Sequence, residues 1–307
     1  MAKRFLDCCA SDFAKFTKDD LLESIQKSEG RVLACETIGT VQPMLGNVTN
    51  AEFVASVGAD IILLNMFDVW NPTINGLPEC KPEETVKLLK KLTGRPIGIN
   101  LEPVEEGEEG DTDPMWKMSN GRRATVENAL RAKELGVDFI LLTGNPGMGV
   151  SNPAIVRTLR QFKDAVGDSI VLAAGKMHAA GILSEAAENI MTEQDVESFV
   201  DAGAEIILLP SPGTVPGITV EYARSLVTCA HKLGALTITA IGTSQEGADT
   251  DTIKRLALMC KMTGTDIHHL GDAGYAGMSL PENIMAYSVA VRGIRHTYHR
   301  MAVSIER

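Results

Sequence analysis

The segment GADIILLN, residues 58–65, sets a glycine ahead of an apolar run no longer than one strand. The glycine closes an amphipathic helical run, because a residue with free access to left-handed backbone is the usual helix stop. Consecutive aliphatic residues suit a strand buried on both faces, where no polar alternation is needed. The pattern returns as GVDFILLTG (136–144), GAEIILLPS (203–211) and GTDIHHLGD (264–272). Four more runs of strand length alternate with these, one before each: RVLACETI (31–38), RPIGINLE (95–102), SIVLAAGKMH (169–178) and ALTITAIGTS (235–244). A two-strand unit therefore recurs four times, and helical runs separate the strands throughout.

The helical runs carry their own punctuation. TKDDLLESIQKSEG (17–30) and TEQDVESFVDAG (192–203) open with Thr-x-x-Asp, a capping-box arrangement, and both close on glycine. Strict strand–helix alternation implies an α/β fold, and its repeat favours a closed parallel (β/α)8 (TIM) barrel over a doubly wound open sheet. A barrel of 307 residues is ordinarily one domain, and no linker divides this chain. The expected organisation is a single TIM-barrel domain over 1–307. Within it, a helical extension (1–30) plugs the floor or packs beside it, 31–279 form the barrel strands and helices, and 280–307 form a long last helix.

Composition narrows the function classes. Hydrophobic residues make up 44% and charged residues 22%, ordinary for a soluble globular chain with a large core. A net charge of −11 argues against a nucleic-acid partner, which draws on clustered Lys and Arg. The late basic cluster RGIRHTYHR (292–300) reads as the polar face of a helix. Cys8, Cys9, Cys35, Cys80, Cys229 and Cys260 form no CxxC pair and read as reduced thiols. Neither a signal peptide nor a membrane span is recognisable, so no membrane partner and a cytoplasmic location are expected.

The whole pattern resembles the phosphate-binding (β/α)8-barrel enzymes over nearly the full chain. NVTNAEFVASVGADIILLN (47–65) is similar to the first helix–strand step of the phosphoenolpyruvate mutase and isocitrate lyase group. After the third strand, where that group carries a metal-binding aspartate pattern, NLEPVEEGEEGD (100–111) stands instead. A bacterial barrel family of its own, its reaction left open by the sequence, is the expected membership.

Barrel active sites are built at the C-terminal ends of the strands and in the loops that follow. Position alone therefore nominates Glu36, Thr37, Asn65, Asp68, Asn100, Glu102, Thr143, Asn145, Lys176, His178, Ser211, Thr243, Ser244, His268, His269 and Asp272. Alternation sends His268 and His269 to opposite sides. Aligning the repeats puts His269 with Leu63, Leu141 and Leu208 and His268 with Ile62, Ile140 and Ile207; the sequence leaves open which column is interior, with His269 preferred. Lys176 has three open readings: a Schiff base or proton carrier of lowered pKa, a charge holding a substrate anion, or a rim salt bridge. Glu36 and Glu102, with Asn100 between them, are candidates for general acid–base work or for a divalent metal such as Mg²⁺. An ion pair from either carboxylate to Lys176 across the mouth is the bland alternative.

The loops after strands seven and eight frequently hold a phosphate through backbone N–H groups. Gly242, Thr243 and Ser244 on one, with Gly271, Gly274 and Gly277 on the other, are the candidates here, joined by Asn100, Thr143 and Asn145 as substrate contacts. Two long loops, DVWNPTINGLPEC (68–80) and PVEEGEEGDTDPMWKMSNG (103–121), have the composition of a lid. These features together lead to a lyase or isomerase acting on a small phosphorylated or carboxylated metabolite by proton transfer or carbon–carbon cleavage. The rival class is a non-catalytic ligand-binding or regulatory barrel. Ile294, Tyr298, Met301 and Ile305, late in the last helix, form a stripe expected to lie in a homo-oligomer interface or to fold back over FLDCCASDFAKF (5–16).

Overall fold

The computed structural model of the chain describes residues 2–104, 118–144, 149–177, 179, 181–274 and 276–307. Eight strands run in chain order as β1 (Val32–Ile38), β2 (Ile61–Asn65), β3 (Ile97–Leu101), β4 (Phe139–Leu142), β5 (Val171–Gly175), β6 (Ile206–Pro210), β7 (Leu236–Ile241) and β8 (Ile267–Leu270). They form a closed barrel in that order. The parallel pairing of β1 with β8, Val32 opposite Ile267 and Ala34 opposite His269, shuts it. The helices among the described residues are α1 (Ala10–Phe13), α2 (Lys18–Gln26), α3 (Asn50–Ser56), α4 (Thr85–Thr93), α5 (Val126–Leu135), α6 (Asn152–Val166), α7 (Glu193–Ala202), α8 (Val220–Lys232), α9 (Thr250–Thr263) and α10 (Pro281–Ala302). No described helix is long and apolar enough to cross a membrane.

Local chemistry sets the helix ends. Thr17 and Thr192 each accept the N–H of an aspartate three residues on, and that aspartate reaches back to the threonine N–H. Gly136 and Gly203 end α5 and α7 with φ of 88° and 116°, a region that a β-carbon disfavours.

The four-fold repeat also has a polar part. Before each even-numbered strand an acidic side chain accepts the backbone N–H at the start of the strand before it. Asp60 takes the N–H of Leu33 at 2.8 Å, Asp138 that of Ile97 at 2.7 Å, Glu205 that of Leu172 at 3.2 Å and Asp266 that of Thr237 at 2.8 Å. Each acid also meets a basic side chain: Arg292 and Arg300, Lys90, Lys18 and His231 respectively. A buried N–H without a partner is costly, so these acids stitch the lower rim of the barrel.

Alternation divides the aliphatic residues into two layers. Val32, Ala34, Ile61, Leu63, Leu141, Ala173 and Leu208 pack with Phe5, Leu21 and Ile25, so α2 and the segment before it plug the floor. Leu33, Ile62, Leu64, Ile140, Leu142, Ile207 and Leu209 pack outward among the helices. Gly98 leaves the space that the Phe139 ring fills from the next strand.

The last helix departs from expectation. It breaks at Gly293, whose φ of 74° and ψ of 167° are not helical. The basic cluster is not simply a polar face: Arg292 and Arg300 are buried and both pair with Asp60. Arg300 also donates to the carbonyls of Phe5 and Cys8 and stacks over the Phe5 ring, so this helix holds the N-terminal segment through a cation. The apolar stripe stays largely in solvent, with Ile294 57%, Tyr298 50% and Ile305 41% exposed.

Candidate functional site

The inner column of side chains turns polar at the C-terminal mouth. Glu36 follows Ala34 on β1, Asn65 follows Leu63 on β2, and Asn100 follows Gly98 on β3. His269 is flanked on the neighbouring strands by Ala34 and Ala240, two small side chains that leave the imidazole room. All but Asn65 are buried. Asn100 donates to Glu36 Oε1 at 3.0 Å and to Asn65 Oδ1 at 3.2 Å, while Asn65 donates to Asp272 Oδ2 at 2.8 Å. Glu36 Oε2 lies 3.7 Å from His269 Nε2. That gap is too long for a hydrogen bond and short enough for one substrate oxygen to touch both groups. Neither ring nitrogen of His269, nor Asn100 Oδ1, has a hydrogen-bond partner among the described residues.

The electrostatics follow from burial. Loss of water pushes the Glu36 carboxyl well above the ordinary range; Asp272 and, more weakly, Glu246 add to this, and the Asn100 hydrogen bond opposes it. Burial alone brings His269 down to about 4. At neutral pH the imidazole is therefore neutral beside a carboxyl group that resists losing its proton.

His268 faces the other way. Its Nδ1 lies 2.9 Å from the Tyr287 hydroxyl of α10 and its Nε2 3.0 Å from the Gly30 carbonyl, a packing role.

Just past β3, Glu102 is engaged by Arg122. Burial raises its pKa while Arg122 and then Arg123 pull it down. The Nε atoms of both arginines are buried without a partner among the described residues. Thr143, at the end of β4, is buried near this side of the mouth. Glu102 is paired with Arg122, and among the described residues no group of three His, Cys, Asp or Glu side chains is placed to hold a metal ion.

Lys176 is not joined to Glu36 or Glu102. Val171 and Ala173 belong to the inner layer, while Leu172 and Ala174 belong to the outer one. Alternation thus carries Lys176 toward the helices, and its neighbour Met177 lies over the barrel centre against Gly242. Its counter-ion is Glu185 at 2.7 Å, from the loop after β5, so Lys176 sits in a salt bridge beside the mouth and not in the alternative pair across it.

The turns after β7 and β8 are engaged by the chain itself. Thr243 and Ser244 have φ of 58° and 68°, and Ala273 and Gly274 follow with 59° and 63°. The Thr243 hydroxyl donates to the Gly242 carbonyl at 2.6 Å. The Ala273 N–H donates to the Glu246 carboxylate at 2.8 Å. Gly277 lies apart from this turn: its carbonyl accepts the Ile38 N–H at 3.0 Å, and a β-carbon there would meet Asn50. Ser211, just past the end of β6, is buried. Asn145 and His178 lie outside the described residues.

The loop after β2 is pinned over the mouth. Val69 donates to the Gly121 carbonyl, Asn75 to that of Gly39, and the Trp70 indole to Asn128. Most of the second lid candidate, 105–117, lies outside the described residues. Four participants were absent from the positional shortlist: Arg122, Arg123, Glu185 and Glu246. All sit in loops, where only the charge itself, in RRATVENAL or in SQEGAD, was available as a signal.

The chain belongs to a family described as a domain of unknown function (DUF7916), which matches residues 6–307. No curated protein matches it. Among solved structures it is similar to an archaeal fructose 1,6-bisphosphate aldolase, at 13% identity over 88% of this chain and 98% of that one, with a TM-score of 0.57. It is also similar to 2,3-dimethylmalate lyase, a member of the phosphoenolpyruvate mutase/isocitrate lyase superfamily, at 15% identity over 83% and 80%, with a TM-score of 0.50. A third is the ribulose-1,5-bisphosphate carboxylase/oxygenase of Pyrococcus horikoshii OT3, at 13% identity over 91% and 62%, with a TM-score of 0.51. At such identities the likeness is one of fold, and the neighbours include lyases and aldolases.

Proposed function

We propose that the protein is an enzyme of the lyase or isomerase kind, moving a proton on, or cleaving a carbon–carbon bond of, a small carboxylated or phosphorylated metabolite at the barrel mouth. The supporting observation is the Glu36–His269 pair: a buried carboxyl whose pKa burial holds well above the ordinary range, 3.7 Å from an imidazole without a partner among the described residues. Such a pair divides acid from base, because its members differ in which protonation state burial favours. His269 Nε2 takes a proton from the substrate, and Glu36 gives one to the oxygen that gains charge. Asn100 and Asn65 fix the carboxyl through the amide chain to Asp272. Arg122 and Arg123, with Thr143, receive the substrate's anionic group; the guanidinium is suited to carboxylate and phosphate alike. Lys176 contributes its charge through Glu185 and forms no covalent bond to substrate. A homo-oligomer belongs to the same proposal. Ile294, Tyr298 and Ile305 remain exposed on the folded chain, and covering apolar surface is worth about 25 cal/mol per Å².

Hydrogen exchange tests the chemistry whatever the product turns out to be. Small hydroxy acids, oxo acids and sugar phosphates are incubated with the protein in deuterium oxide and followed by proton NMR. The wild type is expected to deuterate or cleave one of them, and Glu36→Gln and His269→Gln are each expected to lose roughly 100-fold or more. A compound that stabilises the wild type against heat yet is never altered would support the ligand-binding barrel. Equal rates in the wild type and both variants would remove the pair from the mechanism.

A further inference from the structure

The turn after β8 already holds a carboxyl group of the chain's own. Glu246 leaves the short 3-10 turn Gln245–Gly247 after β7 and sends its carboxylate into the backbone of residues 271–274. Burial raises the Glu246 pKa, and the backbone N–H groups of Ala273, which donates to Oε1 at 2.8 Å, and of Gly274 oppose that rise. A β-carbon on Gly271 would lie 2.6 Å from that oxygen, so the glycine admits the carboxylate. A side chain on Gly274 would collide with the Ser244 hydroxyl, so the turns after β7 and β8 close on each other around the acid. The Glu246 main chain is anchored as well: its carbonyl accepts from Ser279 Oγ at 3.2 Å and from Asn283 Nδ2 at 2.9 Å. Both glutamate oxygens are buried, and Oε2 has no partner among the described residues.

Charge is divided across the mouth in the same sense. On the β1, β7 and β8 side, Asp272 and Glu246 add to the rise of Glu36, and Asp272 adds to that of Glu246. Arg122 and Arg123 stand beside Glu102 on the β3 side. A phosphate dianion at the β8 turn would displace the Glu246 carboxyl and lie beside Asp272 and Glu36, whereas at β3 it would meet two guanidiniums.

We infer that Glu246 is a specificity residue, a built-in carboxyl group that closes the β8 turn to phosphate, so that the substrate's anionic group lies over β3 and an uncharged part of it faces β7 and β8. This deepens the proposed reaction by fixing the substrate's orientation, and it rests on that reading only for there being a substrate. The occupancy of the turn is measured without turnover, so the two fail separately.

The probe is inorganic phosphate, titrated calorimetrically into the full chain. Glu246→Ala and Glu246→Ser free the Ala273 and Gly274 N–H groups and remove the carboxyl group. Each is expected to bind phosphate about tenfold or more tightly than the wild type, the scale of charge-assisted hydrogen bonds. Affinity unchanged from the wild type in a folded variant would overturn the inference. Should neither variant fold, a wild-type crystal grown from sulfate decides: the Glu246 carboxylate still on the Ala273 N–H supports exclusion, and sulfate in its place refutes it.

Discussion

Replacing Glu36 by Gln should remove activity and raise stability above neutral pH. In the folded chain burial, with Asp272 and Glu246 behind it, holds the Glu36 carboxyl well above its usual range. In the unfolded chain it returns to about 4.3. Between those two values the folded state binds a proton that the unfolded state has released. Raising the pH through that interval therefore favours unfolding, by up to about 1.4 kcal/mol per pH unit, and the loss ends once the pH passes the folded value. Glutamine has no proton to lose and keeps a carbonyl for Asn100 to donate to, so the variant escapes this slope. His268 and His269, both lowered to about 4, act in the opposite sense. Their contribution rises as pH climbs from about 4 toward about 6.5, but it is common to both proteins and largely cancels in the difference. Urea denaturation of wild type and Glu36→Gln, followed by circular dichroism from pH 5 to 8, gives that difference directly. It should grow with pH at an unchanged m-value. A constant difference, or a variant that weakens as pH rises, would refute the burial argument and with it the protonated acid at the mouth.

Three further outcomes are expected. Asp60→Asn leaves the buried guanidiniums of Arg292 and Arg300 without their shared carboxylate, and should cost about 3–5 kcal/mol in urea denaturation; a loss below about 1 kcal/mol would mean the cluster is held by its carbonyl contacts alone. The His268 and His269 rings should remain neutral in NMR titrations down to about pH 4, and a midpoint near the ordinary value for either would show that water reaches it. Borohydride added during turnover should leave Lys176 unmodified because its amine is bound by Glu185 on the helix side of β5; a trapped adduct at Lys176 would make the reaction covalent.

The barrel was legible because its signal is repeated. Four copies of a glycine followed by a strand-length apolar run fix eight strands by spacing, and alternation correctly separates His269, in line with Leu63 and Leu141, from His268. The break in the last helix was less visible. Gly293 interrupts a run that otherwise keeps helical periodicity, and only the burial of Arg292 and Arg300 against Asp60 explains why the chain turns there. The acid of each repeat was written in the sequence too, as Asp60, Asp138, Glu205 and Asp266. Its role depends on a hydrogen bond to the preceding strand, which periodicity does not encode.

The site was read one layer deep. Residues on the strands, Glu36, Asn65, Asn100 and His269, come together because barrel closure fixes their height and side. Residues beyond the strand ends do not obey that rule. Lys176 stands one position out of phase with Ala173, which turns it toward Glu185 and away from the acids. Likewise the glycines after β8 have the freedom a phosphate turn needs, but the same freedom admits Glu246. A glycine says only that backbone comes close to something. Whether that partner is a ligand or a carboxylate from the next loop depends on which side chain arrives first, and Glu246 reaches the turn from a few residues past β7 without crossing solvent. On the proposed reading, the acid-lined side of the mouth is set by the chain's own side chains, and a substrate anion is left the guanidiniums beside Glu102.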